Sequence, residues 1–151
     1  MAHLLGAEGL HLEFPTRTVF DSVTLGVNEG DRIGIVGRNG DGKSTLLALL
    51  SGRLSPDEGR VTVRNQVTIG SLAQEDVFDE NDTVRSLVVG DAEEYEWASD
   101  PRIRDVLAGL LTEVDLDDRV SDLSGGQRRR VALARLLIGD WDVLALDEPT
   151  N

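Results

Sequence analysis

Apolar and polar positions alternate through the first thirty residues in the manner of strands. Leu10-His11-Leu12-Glu13-Phe14 and Val23-Thr24-Leu25-Gly26-Val27 each set side chains alternately on opposite faces. Pro15-Thr16-Arg17-Thr18 between them reads as a turn, and Asn28-Glu29-Gly30-Asp31 as a second one. Arg32 to Val36 (RIGIV) is then a short β-branched apolar run that predicts a buried strand. Thr45 to Leu50 (TLLALL) is rich in helix formers and predicts a helix. Ser55-Pro56-Asp57-Glu58-Gly59 breaks the pattern, and two short strands are expected around Val61 to Arg64 and Val67 to Leu72.

The second half changes character. Thr83 to Val89 suits a short helix with Asp82 as its cap. Asp100-Pro101 pairs a capping aspartate with a first-turn proline, so a helix is expected from there to Val114. Tyr95 and Trp97, just before it, are expected to pack. Arg128 to Ile138 carries Val131, Leu133, Ala134, Leu137 and Ile138 at helical spacing. Val143 to Leu146 is an apolar strand ending in Asp147 and Glu148. Together these elements predict an α/β fold with a small helical insertion over about residues 76–121.

Composition narrows the possibilities. The 151 residues fit one domain of ordinary size. The formal charge of -13 argues against a surface broadly attracted to nucleic acid or anionic lipid. Glu75 to Asp100 is the most acidic span, with Arg85 its sole basic residue, and reads as a solvated face. With no cysteine there is neither a disulfide frame nor a thiolate metal site. No apolar run reaches the eighteen or so residues that cross a bilayer, so direct membrane insertion is not expected and a cytoplasmic location is. His3 and His11 stand alone and predict no metal site.

The candidate chemistry begins at Gly37-Arg38-Asn39-Gly40-Asp41-Gly42-Lys43-Ser44-Thr45, which fits G-x-x-x-x-G-K-[ST] between a predicted strand and a predicted helix. Such a loop turns backbone N–H groups toward phosphate, aided by the positive end of the helix dipole. Lys43 would reach the β- and γ-phosphates, and the Ser44 hydroxyl would hold Mg²⁺. Lys43 is also the only lysine of the chain; every other cation is an arginine. Leu123-Ser124-Gly125-Gly126-Gln127 opens a second helix of the kind that can receive an anion. Arg128, Arg129 and Arg130 follow, and salt bridges to the acidic insertion are expected of them. Asp147, at the end of a strand, is placed to hold Mg²⁺, and Glu148 to polarise an attacking water as general base.

These three stretches, GRNGDGKST, LSGGQ and VLALDEP, resemble the Walker A, signature and Walker B motifs of ATP-binding cassette (ABC) proteins. The resemblance implies a P-loop NTPase of the RecA-like type. Its expected parts are a β-subdomain at residues 1–30, a phosphate-loop core at 31–75, a helical subdomain at 76–122, and a signature helix with the Walker B strand at 123–151. It implies ATP and Mg²⁺ as ligands. A second cassette, from the same longer chain or a dimer mate, would offer its Ser124 to Gln127 to the nucleotide held at Gly37, Asn39, Gly40, Gly42, Lys43, Ser44 and Thr45. Gln74 falls where the family's Q-loop glutamine contacts Mg²⁺ and the attacking water. Phe14 falls where an aromatic stacks on adenine, with Phe20 as a competitor.

Asp147-Glu148-Pro149-Thr150-Asn151, together with Arg130 to Leu137 (RVALARLL), looks most like the ABC-F branch, soluble tandem-cassette ATPases that act on ribosomes during translation or confer antibiotic resistance. The alternatives are the nucleotide-binding subunit of a membrane transporter, with a permease as partner, and a binding-only fragment without turnover. The family carries a D-loop, a switch histidine and a further central strand after Walker B, none of which these residues include. The resemblance therefore implies a cassette that is incomplete at its C-terminal end.

Overall fold

The computed structural model describes residues 2–72, 78–79 and 81–148. They divide into two compact units, Met1–Ala73 with Trp141–Asn151, and Gln74–Asp140.

The first unit begins with a long hairpin. Strands β1 (His3–Phe14) and β2 (Arg17–Asn28) pair antiparallel, and β3 (Glu58–Val63) pairs with the other edge of β1, giving the order β2-β1-β3. The turn falls at Pro15 and Thr16, as expected. Both strands run longer than their alternating segments because pairing continues through Gly6 and Gly26 to His3 and Asn28. Leu5, Ala7, Leu10 and Leu12 are buried together with Leu49 and Leu50 of helix α1 (Lys43–Leu50). Gly59, at φ 84°, passes so close to the Gly9 carbonyl that a side chain there has no room. Beside it the β1–β3 register slips between Glu8 and His11, as at a bulge.

The two runs after Gly59 go to different sheets. The first is β3. The second holds β4 (Ile69–Leu72), which pairs in parallel with β5 (Val143–Leu146), Ile69 opposite Val143. Adjacent segments of the expected phosphate-loop core thus serve separate sheets. The β4–β5 pair is clasped at its entrance by Asp142, whose carboxylate accepts from the Thr68 N–H at 2.8 Å and from the Thr68 hydroxyl at 3.0 Å.

The expected buried strand at Arg32 to Val36 does not form. The segment has no regular secondary structure, and Ile33 and Val36 are 59 % and 96 % exposed. A β-branched run becomes a strand only where a neighbouring ladder accepts its backbone. Here Ile33 and Ile35 instead line a cavity of about 460 Å³ with Leu144, Ala145 and Trp141, so an apolar gap lies between this segment and β5.

The second unit is helical. It comprises helices α2 (Val84–Val88), α3 (Glu94–Ser99), α4 (Pro101–Leu110) and α5 (Gly125–Ile138), with a 3₁₀ turn at Val120–Asp122 between α4 and α5. Its core holds Val84, Val88, Leu111, Val114, Val120, Leu123, Val131 and Ala134. Thr83, not Asp82, caps α2: its hydroxyl accepts from the Ser86 N–H while Ser86 answers to the Thr83 N–H. Asp82 instead accepts from the Asp79 N–H. Asp100 caps α4 as expected, accepting from the Arg102 N–H at 2.8 Å. The helix stops at Leu110 rather than Val114, and Leu111 and Val114 enter the core after it has ended.

Helix α3 has no counterpart in the apolar pattern. It leaves Tyr95 73 % exposed, contrary to the expectation that it packs; Trp97 is half-buried. Of the three adjacent arginines, Arg130 meets Glu113 of the insertion at 3.7 Å, whereas Arg128 donates to the Leu123 carbonyl. Arg85–Asp117 and Arg102–Asp140 add exposed pairs worth little individually. No helix among the described residues is long and apolar enough to cross a membrane.

The Thr68 clasp is testable. Bonds from the Thr68 N–H and hydroxyl, with Arg64 nearby, hold the Asp142 carboxyl below its usual range. A depressed carboxylate stabilises the fold above its unfolded-state pKa, and that contribution is lost as pH falls through the folded value. Asp142→Ala is expected to lower the urea midpoint at neutral pH. Wild type and variant should converge as the pH drops below the carboxylate range.

Candidate nucleotide site

The phosphate loop of the first unit enters α1 through two glycines in the left-handed region, Gly40 at φ 89° and Gly42 at φ 96°. Gly42 is also a packing requirement. A Cβ there would sit 2.7 Å from Val19 Cγ1 and 3.1 Å from Phe20 Cζ, both on β2. The hairpin therefore presses on the loop where it becomes helix. Within the loop, the Arg38 N–H donates to Asp41 Oδ2 at 2.6 Å, and the Asp41 N–H returns to the Arg38 carbonyl at 3.1 Å. Lys43 Nζ donates to the Gly37 and Arg38 carbonyls, each at 3.0 Å. From the hairpin, the Arg17 guanidinium donates to the Gly40 carbonyl at 2.5 Å.

These features fit a phosphate group. No side chain caps α1, since its N-cap is Gly42, whereas α2, α4 and α5 are capped by Thr83, Asp100 and Ser124. The first-turn N–H groups of α1 are thus left to an outside acceptor. Gly37, Asn39, Gly40 and Ser44 are exposed, and Thr45 is half-buried.

Residues from the other end of the chain join the loop. Asp147 is only 5 % exposed, and its N–H donates to the Leu72 carbonyl at 3.1 Å, extending the β4–β5 ladder past β5. Glu148 follows at φ 44°, a left-handed conformation uncommon for a glutamate. Lys43, Asp147 and Glu148 line one cavity of about 380 Å³ with Ile33, Ile35 and Leu144. Hard oxygen donors at Ser44 and Asp147 are of the type Mg²⁺ takes.

Phe14 ends β1, 43 % exposed, while Phe20 packs into the core and against Gly42. Of the two aromatics, Phe14 is the more exposed. Gln74 lies outside the described residues. Arg17, Asp41 and Val19 touch the loop but were not foreseen as site residues, and Phe20, named as a rival for the base, meets the loop at Gly42 instead. Arg17 and Asp41 look like ordinary turn and loop residues in the sequence, and the hairpin's contact with Gly42 spans more than twenty positions.

In the second unit, Ser124 and Gln127 form a reciprocal cap on α5. The Ser124 hydroxyl accepts from the Gln127 N–H at 3.3 Å, and Gln127 Oε1 accepts from the Ser124 N–H at 2.9 Å. A Cβ at Gly125 or Gly126 would meet nothing within 4 Å, so packing within this unit does not account for either glycine.

The model of the ABC transporter family matches residues 20–151. The chain belongs to the ABC family. It is an ATP-binding cassette by that membership, and the family's chemistry is ATP binding and hydrolysis. It is similar to the Nod factor export ATP-binding protein I of Neorhizobium galegae, with 39 % identity over 89 % of this chain and 43 % of that protein. It is likewise similar to the energy-dependent translational throttle protein EttA of Haemophilus influenzae, with 36 % identity over 98 % of this chain and 27 % of that protein. Among solved structures it resembles the RNase-L inhibitor, at TM-score 0.81 and 30 % identity, over 99 % of this chain and 28 % of that one. The cassette thus spans less than half the length of these relatives.

The cap on α5 carries its own prediction. Ser124→Ala is expected to destabilise the helical unit by about 1 kcal/mol, and Ser124→Asp to retain most of that stability. Urea unfolding followed by far-UV circular dichroism measures both.

Proposed function

We propose that this cassette forms one half of a composite MgATP site in a longer protein, which hydrolyses ATP to drive cassette pairing in the ABC-F manner. The observation that carries the reading is the single cavity shared by Lys43, Asp147 and Glu148. Lys43 and the N–H groups of Gly40 to Thr45 bind the phosphates, with Gly37 and Asn39 shaping the loop. Ser44, Asp147 and, by the family resemblance, Gln74 would hold Mg²⁺, and Phe14 would stack on the base. When bound, Mg²⁺ neutralises charge on the phosphate oxygens. Glu148 accepts the proton of the water that attacks the γ-phosphorus, and Lys43 with the loop amides stabilises charge as the bond to the β-phosphate oxygen breaks and ADP leaves. Ser124 to Gln127 face the nucleotide of a second cassette, a role that supplies the reason for Gly125 and Gly126. The apolar gap beside β5 receives a further strand of the longer protein, as the family resemblance implied.

The ABC-F assignment, with the ribosome as partner and a cytoplasmic location, is supported by the run Asp147 to Asn151 and by the similarity to EttA. A second reading, the nucleotide-binding subunit of a transporter working with a permease, is favoured by the 39 % identity to the Nod factor export protein.

In the full-length protein, Lys43→Ala is expected to weaken MgATP binding by a hundredfold or more, as ~3 kcal/mol of charge-assisted contacts are lost. Glu148→Gln is expected to keep binding while turnover falls by ~10²-fold or more. Equilibrium titration and steady-state phosphate release test the pair; normal turnover by Glu148→Gln would remove the role given to Glu148. With MgATP present, the Glu148→Gln protein should sediment with ribosomes under the ABC-F reading. Retention in the membrane fraction instead favours the transporter reading.

A further inference from the structure

The phosphate loop is held against one more cation than its motif contains. Arg17 opens β2 at the hairpin tip and donates to the Gly40 carbonyl in the middle of the loop. The chain has 28 carboxylate side chains against 15 lysines and arginines. Elsewhere arginines find these carboxylates readily: Arg60 meets Glu8, Arg85 meets Asp117, and Arg102 meets Asp140. Among the described residues Arg17 makes no such pair. Neither does Lys43, whose two bonds also go to loop carbonyls. Both are full positive charges held at the loop by neutral acceptors.

The placement of Arg17 is also constrained. Val19 and Phe20, on the same strand, lie against Gly42, and Arg17 pairs in register with Phe14. A guanidinium offers five donors in a planar fork, and one carbonyl engages a single donor. The remaining donors suit the oxygens of a phosphate, which accept such a fork in pairs.

We propose that Arg17 is a second phosphate-binding residue of this site, contacting the triphosphate of the bound nucleotide from the hairpin while its bond to Gly40 positions the loop. The proposal rests on the nucleotide-site reading above. It explains why a fixed positive charge of an acidic chain stands unpaired at an anion cradle.

Titration calorimetry of the full-length protein with MgATP, magnesium tripolyphosphate and adenosine tests it. Arg17→Ala is expected to weaken MgATP and tripolyphosphate about tenfold, leaving adenosine binding and the melting temperature of the nucleotide-free chain unchanged. Arg17→Lys should recover only part of the loss, since the charge remains but the planar fork does not. Equal weakening of adenosine together with a lower melting temperature would make Arg17 a structural brace and overturn the proposal. Wild-type MgATP affinity in Arg17→Ala would overturn it as well, leaving the site reading intact. Failure of the wild-type full-length protein to bind MgATP would instead overturn the site reading itself.

Discussion

The approach of the β1–β2 hairpin to Gly42 is the constraint on which the first unit depends. Val19 and Phe20 occupy the space where any other residue would carry its Cβ. The φ of 96° at the same position is one that glycine adopts without steric cost. One residue thereby satisfies two demands. The loop can turn sharply into α1, and the hairpin can close over the turn. Leu49 and Leu50, a helical turn or two further on, then reach the core that Leu5, Leu10 and Leu12 present from β1. The phosphate loop is thus part of the packing of the β-unit, and its geometry is supported by apolar burial as well as by its own hydrogen bonds.

Charge is distributed with a matching logic. The excess of carboxylates is spent on turns, caps and exposed pairs, many of them in the helical unit, where Asp79, Asp82, Asp100, Asp115 and Asp118 each accept from a nearby backbone N–H. At the phosphate loop the pattern reverses. Asp41 satisfies the Arg38 N–H, while Lys43 and Arg17 rest on carbonyls. An acidic protein that binds a polyanion must keep local positive charge available where the anion lands, because long-range attraction works against it. Backbone carbonyls can hold such cations in place without cancelling their charge.

Two of the places where the sequence pattern and the structure part company have one physical origin. Arg32 to Val36 has the composition of a buried strand, yet strands are cooperative objects defined by their neighbours, and the segment finds no ladder among the described residues. Tyr95 is aromatic and sits in a helix, yet α3 is short and turns it outward. In both cases local preference was clear, and the partner surface that would realise it was not. The caps behave oppositely. Asp100 and Ser124 act within three residues, so their roles could be read from spacing alone, and the shift from Asp82 to Thr83 is a choice between adjacent residues.

What these residues determine by themselves is therefore the chemistry of short range: the glycines and lysine of the loop, the caps that open α4 and α5, the apolar strand that ends in Asp147 and Glu148, and the family to which all three motifs point. Tertiary structure alone decided which strands share a sheet, sending β3 to β1 and β4 to β5 although only a few residues separate them. It also carried Asp147 and Glu148 across a hundred positions to the cavity of Lys43, and set Arg17 upon Gly40. The reason is range. Hydrogen bonds of turns and caps join residues close in the chain, whereas sheet order and the meeting of distant charges follow from how apolar surfaces are buried together.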